Sequence, residues 1–325
     1  MSICPICKND TDRILNVKEM IQGTREIFRY GLCSHCQTLF LLPEDIPDNL
    51  AKYYEDYDAL SSVNSFQNKG LKKKIKNVLI YPYYRYLMLN NNWISKALYS
   101  ILEPRLSLGL RALSGIIPSL DAQILDIGSG SGFLVQTLVE FGFVNTIGCD
   151  PFIKSDIVFN NKAKILKIDF LSLTGKFDVI TLNHSFEHFP NPFEAAAKID
   201  ELLKVGGICI LRFPNFDSIE FRKFQENWWG IHAPRHFFIY SRKSLEMIFK
   251  NTNISIYNSY CDSEWYNYIH SYEYSLDIDH HSSISATNGG GLWIKEDINY
   301  WSKKAKKANE KLVGDWIVYY LRKNR

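Results

Sequence analysis

After about residue 120, apolar runs typical of strands alternate regularly with stretches whose apolar positions have helical spacing. Mostly apolar runs at 124–127, 146–149, 177–182 and 208–213 predict buried strands, because strands covered on both faces are largely apolar. Helix-spaced stretches at 133–141 and 192–203 lie between them. This alternation predicts an α/β fold in which helices cover both faces of a mostly parallel sheet.

Three further segments complete a predicted sheet of seven strands. The segments 164–168 and 254–260 read as the third and sixth strands, and 316–321 as the seventh, inserted antiparallel. An insertion at about 262–312 separates the last two and contains a lysine-rich helix at 303–311. The main domain is therefore expected to span 119–325.

The first 45 residues predict a separate small module. Short alternating segments surround two C-x-x-C pairs, formed by Cys4, Cys7, Cys33 and Cys36. Four thiolates at this spacing are typical of a tetrahedral structural Zn²⁺ site, and a zinc ribbon with so few strands needs the metal to fold. A redox C-x-x-C is the alternative, but it would not need a second pair.

Residues 46–118 predict a helical cap or linker rich in tyrosine. The stretch 48–64 and the aromatic run 81–86 are its most distinct parts, with a basic cluster at 72–76 between them. Aromatic side chains at helical spacing indicate packing on the main domain. The alternative is an amphipathic surface that contacts a membrane or a lipid-linked substrate.

Composition excludes several classes of protein. The 325 residues are 46% hydrophobic and carry a formal net charge of +3, which gives no argument for binding nucleic acid. The sequence contains no run of about eighteen apolar residues, so no membrane span is expected. The N-terminus does not resemble a signal peptide. Seven cysteines without an export signal indicate a reducing compartment rather than a disulfide framework, so the expected location is the cytoplasm.

The stretch from residue 122 to 151 carries the strongest chemical signal. A strand ends in Asp126 and a glycine loop, and the next strand ends in Asp150. This βαβ unit suits an adenosine-type ligand at the carboxyl ends of the strands. Phe133 occupies the third position of the dinucleotide fingerprint, where Gly or Ala is required, and Asp126 would repel a phosphate. Both features favour S-adenosyl-L-methionine, which has a cationic amino-acid end and no phosphate.

The predicted cofactor-binding residues follow from this unit and the strand ends beside it. Asp150 should accept hydrogen bonds from the two ribose hydroxyls, and glycines allow the backbone to approach the ligand. The full set is Asp126, Gly128, Ser129, Gly130, Gly132, Asp150, Asp169 and Asn183.

Several motifs together resemble the class I S-adenosylmethionine-dependent methyltransferases. They are DIGSGSG, FDVITLNHSFEHFPNP, LKVGGICILRFPN and HAPRHFFIYS. The chain is most similar to the subset with an N-terminal zinc module, which includes sugar C-methyltransferases and relatives from polysaccharide gene clusters. This resemblance implies a Rossmann-like sheet and a sugar, sugar nucleotide or glycan precursor as acceptor. The catalytic histidines of that family match His188 and His236, whereas Arg235 and Ala233 replace its glutamate and tyrosine.

These matches give the predicted catalytic set of His188, His236, Glu187 and Arg235. His188, nearer the sheet, should take or orient the acceptor proton, while His236 and Arg235 hold the substrate. Arg235 suits a bidentate anion, and a surface ion pair is its alternative role. His184, Glu187 and His188 overlay a divalent-metal site of quinone-type O-methyltransferases, which is the minority interpretation.

Other functions stay open at this stage. An O-methyltransferase of a small aromatic or quinone-type molecule is the first alternative. A nicotinamide-dependent oxidoreductase is disfavoured by Phe133 and Asp126. The third possibility is a non-catalytic binding module in which the ribbon contacts nucleic acid or protein. The expected partner is a small-molecule or glycan acceptor, with no nucleic acid, no transmembrane segment and peripheral membrane contact as an option.

Overall fold

The computed structural model describes residues 2–54, 81–90, 92–94, 97, 106–160, 162–289 and 293–324. Most of the predicted stretch 48–64 and the basic cluster at 72–76 lie outside this part of the chain. The strands are β1 Arg13–Lys18, β2 Ile27–Cys33, β3 Thr38–Leu41, β4 Ile124–Ile127, β5 Thr146–Cys149, β6 Ile157–Val158, β7 Lys164–Leu166, β8 Phe177–Asn183, β9 Leu203–Pro214, β10 Phe238–Ile239, β11 Ile254–Cys261 and β12 Trp316–Lys323.

The α-helices lie between these strands and on either side of the larger sheet. They are α1 Tyr81–Leu89, α2 Leu108–Arg111, α3 Phe133–Glu140, α4 Pro192–Leu202, α5 Ile219–Phe224, α6 Arg242–Ile248, α7 Trp265–Ser275 and α8 Lys295–Glu310. Helix α4 begins at Pro192, with Asn191 accepting a hydrogen bond from the Glu194 N–H, as expected for a capped helix start. The lysine-rich helix α8 starts eight residues before the predicted position.

The central sheet is mixed and mostly parallel, as predicted. Its strand order is β11-β12-β9-β8-β4-β5-β7-β6. Strand β12 runs antiparallel between β9 and β11, which confirms the antiparallel insertion of 316–321. The described residues form eight strands in this sheet rather than seven, because the two-residue strand β6 pairs antiparallel with β7 at the edge. The prediction of seven strands was therefore wrong by this short hairpin.

Two apolar clusters cover the two faces of this sheet. One contains side chains of α1, α2 and α3, among them Tyr84, Leu110 and Leu138. The ring of Tyr84 stacks on Phe141 at a centroid distance of 5.1 Å, so these aromatic residues pack on the main domain as a cap would. Contact with a membrane stays a prediction. Among the helices in the described ranges, none is long and apolar enough to cross a bilayer.

The N-terminal module is joined to the rest of the chain by a shared sheet. Strands β1, β2 and β3 form an antiparallel meander, and β10, from far along the chain, pairs with β3. Most of the buried apolar side chains of the module belong to the same cluster as those of β8, β9, α4 and α6. The predicted boundary near residue 45 is therefore crossed by both backbone hydrogen bonds and packing, while the division into domains stays a prediction.

Candidate functional site

Parallel strands β4, β5, β8 and β9 end at one edge of the sheet, and most predicted site residues lie there. The glycine loop follows β4 and turns with positive φ at Gly128, Gly130 and Gly132. A Cβ atom at Gly128 would lie 2.6 Å from the Cβ of Ser185, and one at Gly132 would lie 2.7 Å from Ile165. Glycine is therefore required here by conformation and by space.

The two acids that flank the loop are held by hydrogen bonds. Asp126 is buried and accepts from the Thr181 hydroxyl at 2.7 Å, while Ser129 donates to its carbonyl oxygen. Burial raises the pKa of Asp126 to about 7, with the charge of Asp150 adding to the effect. The carboxylate of Asp150 accepts from the Gly130 N–H at 2.9 Å and from the Phe152 N–H at 2.8 Å. It thereby fixes the loop and retains lone pairs for a ligand.

The remaining predicted cofactor residues lie at neighbouring strand ends. Asp169 is exposed and accepts from the Leu171 N–H. Burial raises the pKa of the Cys149 thiol to about 12, and the charges of Asp126, Asp150 and Asp169 add to this effect. The three acids therefore lie near the end of β5. Asn183 accepts from Arg212 at 3.2 Å.

The predicted catalytic residues are also brought together. The rings of His188 and His236 meet edge to face with centroids 4.8 Å apart. The Nδ1 atom of His188 lies 2.8 Å from the Arg235 carbonyl oxygen. Because a carbonyl can only accept, Nδ1 carries the proton in the neutral ring, and Nε2 has the lone pair that a base requires. Burial lowers the pKa of His188 to about 4, and the charge of Arg235 contributes.

His236 lies deeper than His188. Its Nδ1 donates to the Gly230 carbonyl oxygen at 2.9 Å, and its Nε2 is 3.8 Å from Glu187 Oε1. Burial raises the pKa of Glu187 to about 8, so a neutral carboxyl group faces the ring below that pH. Nδ1 of His236 is hydrogen-bonded and Nε2 faces Glu187 without a hydrogen bond, and this buried position suits a residue that supports His188 from behind. A direct contact between His236 and the acceptor stays a prediction.

The alternative metal site is arranged differently from the sequence-based hypothesis. The ligand atoms of Glu187, His188 and His236, rather than of His184, lie within 4.8 Å of one another. His184 instead receives a hydrogen bond on Nε2 from Arg212, which occupies the lone pair a metal would use. The nearby charges of Arg212 and Arg235 also oppose a divalent cation.

Sequence reasoning missed several residues of this site. Tyr54 lies 3.0 Å from His188 Nδ1 and stacks on Phe152, the residue two positions after Asp150. Arg212 forms an ion pair with Asp262 at 2.8 Å and lies over the Trp316 ring at 4.2 Å. An arginine within an otherwise apolar strand was the available signal for the second group. Nothing in the sequence marked Tyr54 apart from the other tyrosines of its segment.

The four cysteines of the N-terminal module come together as predicted. Their sulfur atoms lie within 4.8 Å of one another, with Cys4–Cys36 and Cys7–Cys33 both at 3.5 Å. Tetrahedral zinc at about 2.3 Å from each sulfur needs sulfurs about 3.8 Å apart. The residues after each pair, Lys8 and Gln37, both have left-handed backbone, so the two knuckles share one conformation. The donor set and its spacing fit a zinc ion.

Comparison with known proteins identifies the segment that holds the main site. Residues 100–258 match the family model described as "Methyltransferase domain". This part of the chain is a methyltransferase domain. A curated relative, the ubiquinone biosynthesis O-methyltransferase of Colwellia psychrerythraea, is 29% identical over 98 residues, which cover 27% of this chain. The match spans only 40% of the length of that relative.

Solved structures of methyltransferases are also similar to this chain. The match to a SAM-dependent methyltransferase from Thermotoga maritima covers 85% of this chain and 100% of that protein, with 12% identity and a TM-score of 0.43. The match to geranyl diphosphate C-methyltransferase from Streptomyces coelicolor A3(2) covers 70% of this chain and 77% of that enzyme, with 11% identity and a TM-score of 0.38.

Proposed function

We propose that the methyltransferase domain transfers the methyl group of S-adenosylmethionine to a hydroxyl or carbon of a sugar, sugar nucleotide or related polysaccharide precursor. The observation that carries the proposal is the juxtaposition of two sites at one sheet edge. The glycine loop with Asp126 and Asp150 lies at the ends of β4 and β5, and His188 follows β8 beside it. When bound, the cofactor supplies an electrophilic methyl group; the chain must align the acceptor and manage its proton.

The residues present fit such a cofactor. The three positive-φ glycines leave space for close backbone approach, and Asp150 presents a fixed carboxylate for hydroxyl groups. The buried carboxyl of Asp126 would gain from a cationic amino group, because that charge favours its ionised form.

His188 is the proposed base. It is partly exposed, its Nδ1–H is fixed by the Arg235 carbonyl, and its Nε2 is the acceptor nitrogen. Its lowered pKa keeps the ring neutral at physiological pH. His236 and the neutral Glu187 pack behind it and hold its orientation.

The cysteine module is proposed to bind one structural Zn²⁺ through Cys4, Cys7, Cys33 and Cys36. It is further proposed to act by fixing β3, against which β10 pairs just after His236. The proposed cellular location is the cytoplasm.

Methyl transfer from labelled S-adenosylmethionine to a panel of nucleotide sugars, with quinols and catechols as a second panel, tests the proposal. His188→Ala should lower kcat by about 10²–10⁴ and leave S-adenosylhomocysteine binding unchanged. His35→Ala, a histidine of the cysteine module, is the matched control. Transfer to quinols alone would replace the sugar acceptor with the quinone-type alternative, while near-native turnover of His188→Ala would remove His188 as the base.

A further inference from the structure

Arg235 is a buried cation without an anionic partner in the part of the chain that the structure describes. The residue is 6% exposed, and no carboxylate there lies within ion-pair distance of its guanidinium. Its closest polar contact is from Nη2 to His232 Nδ1 at 3.4 Å, and it lies 5.7 Å from the centre of the Tyr54 ring. Arg212, equally buried, has Asp262 at 2.8 Å. Of these two buried arginines, Arg212 has a carboxylate partner and Arg235 has none among the described residues.

The groups around Arg235 do not neutralise it. Below about pH 8 the carboxyl of Glu187 is protonated, because burial raises its pKa to about 8. Glu19 accepts from the backbone N–H groups of Ile21 and Thr24, and Glu273 is paired with His270. A buried charge left without compensation is strongly unfavourable, so its retention indicates that a ligand supplies the counter-charge.

His232 provides a second donor with no partner. Arginine can only donate hydrogen bonds, so the Arg235 contact makes His232 Nδ1 the acceptor and places the ring proton on Nε2. This Nε2 is buried and without a hydrogen-bond partner among the described residues. The backbone of His232 is left-handed, with φ at 46°, a conformation that side chains rarely adopt outside functional or tightly constrained positions.

We propose that the methyl acceptor carries an anionic group, a phosphate or a carboxylate, that binds the Arg235 guanidinium and the Nε2–H of His232. This inference rests on the proposed function and narrows its substrate class. A planar guanidinium suits both groups because two parallel N–H donors match two oxygens. A neutral acceptor would leave the Arg235 guanidinium without a counter-charge.

Anion binding would also prepare the proposed base. The charge of Arg235 is one of the causes that lower the pKa of His188. An anion on Arg235 offsets that charge, and the proton affinity of His188 rises. The acceptor thereby improves the base that acts on it, and the free site keeps a weak one.

Calorimetric titration of the full chain tests the proposal. The probes are inorganic phosphate and glucuronate, with glucose as the neutral control, all in the presence of saturating S-adenosylhomocysteine. At least one anion should bind and glucose should not. Arg235→Gln should weaken anion binding about tenfold to hundredfold, the usual range for a hydrogen bond to a charged group, and keep S-adenosylhomocysteine affinity. Arg222→Gln, whose side chain is 63% exposed, should change neither.

The outcomes separate two failures. No binding of S-adenosylhomocysteine overturns the proposed function itself. Binding of S-adenosylhomocysteine without either anion, or equal anion affinity in Arg235→Gln, overturns only the anion subsite. Which anion binds distinguishes a phosphorylated acceptor from a uronic acid.

Thermal unfolding in phosphate-free buffer gives an independent readout. Arg212→Gln should lower the Tm because it leaves Asp262 buried without its cation. Arg235→Gln should leave the Tm unchanged or raise it, because the substitution leaves no buried carboxylate without its cation. A loss of Tm in Arg235→Gln as large as in Arg212→Gln would show that Arg235 is a structural cation and would refute the proposal.

Discussion

The hydroxyl of Tyr30 is predicted to couple the cysteine module to the proposed active site. Tyr30 is fully buried in β2, and its hydroxyl donates to the carbonyl oxygen of His236 at 2.9 Å. Tyr30→Phe removes the donor, keeps the ring and leaves a buried carbonyl unpaired. The expected loss of unfolding free energy is about 1–3 kcal/mol, the penalty for a buried polar group whose partner is deleted. The loop of Arg235 and His236 should loosen as well.

Urea unfolding and steady-state kinetics measure the two effects. Tyr30→Phe should lower the unfolding midpoint and raise the KM for the acceptor, while the affinity for S-adenosylhomocysteine stays the same because the glycine loop is not touched. Tyr83→Phe is the matched control, since Tyr83 is 51% exposed. If both variants unfold within about 0.3 kcal/mol of the parent protein, the bond to His236 does not exist and the coupling is refuted.

Two other predictions concern the metal and the first acid. Cys33→Ser should abolish stoichiometric zinc, measured by metal analysis, and disorder the first forty or so residues while S-adenosylhomocysteine binding persists; unchanged metal content would contradict the four-cysteine site. S-adenosylhomocysteine affinity should rise between pH 5.5 and 7, because the free Asp126, with its pKa raised to about 7, must lose a proton to pair with the ligand ammonium. Asp126→Asn should flatten this dependence, and a flat profile in the parent protein would show that Asp126 does not meet the ammonium.

The local sequence pattern was sufficient to predict the long elements and those that contain characteristic motifs. The glycine loop, the strands before and after it, and the four clustered cysteines follow from sequence because their spacing is fixed by neighbours within a few residues. The sheet edge then brings His188 close to the loop, as the ends of parallel strands must converge. Helix α3 lies within one residue of its predicted bounds.

Long-range pairing was not predictable. Strand β6 has two residues, too few for a periodic signal. Strand β10 is equally short, and its partner β3 lies about two hundred residues earlier, so the link between module and active site left no local trace. The partners of charged side chains were not predictable either. From the sequence, Arg235 could bind an anion or form a surface ion pair. Its burial, without a carboxylate partner in the described residues, argues against the surface ion pair.

Binding of S-adenosylhomocysteine is the measurement that tests the central claim most directly. Calorimetric titration of the purified chain should give a dissociation constant in the micromolar range or below. Asp150→Ala should weaken it by about 1–3 kcal/mol, because the ligand hydroxyls lose a charged acceptor and the loop loses its anchor at Gly130. Asp121→Ala, at an exposed turn, should bind as the parent protein does. No binding, or equal affinity in Asp150→Ala, would contradict the assignment of this sheet edge as the cofactor site.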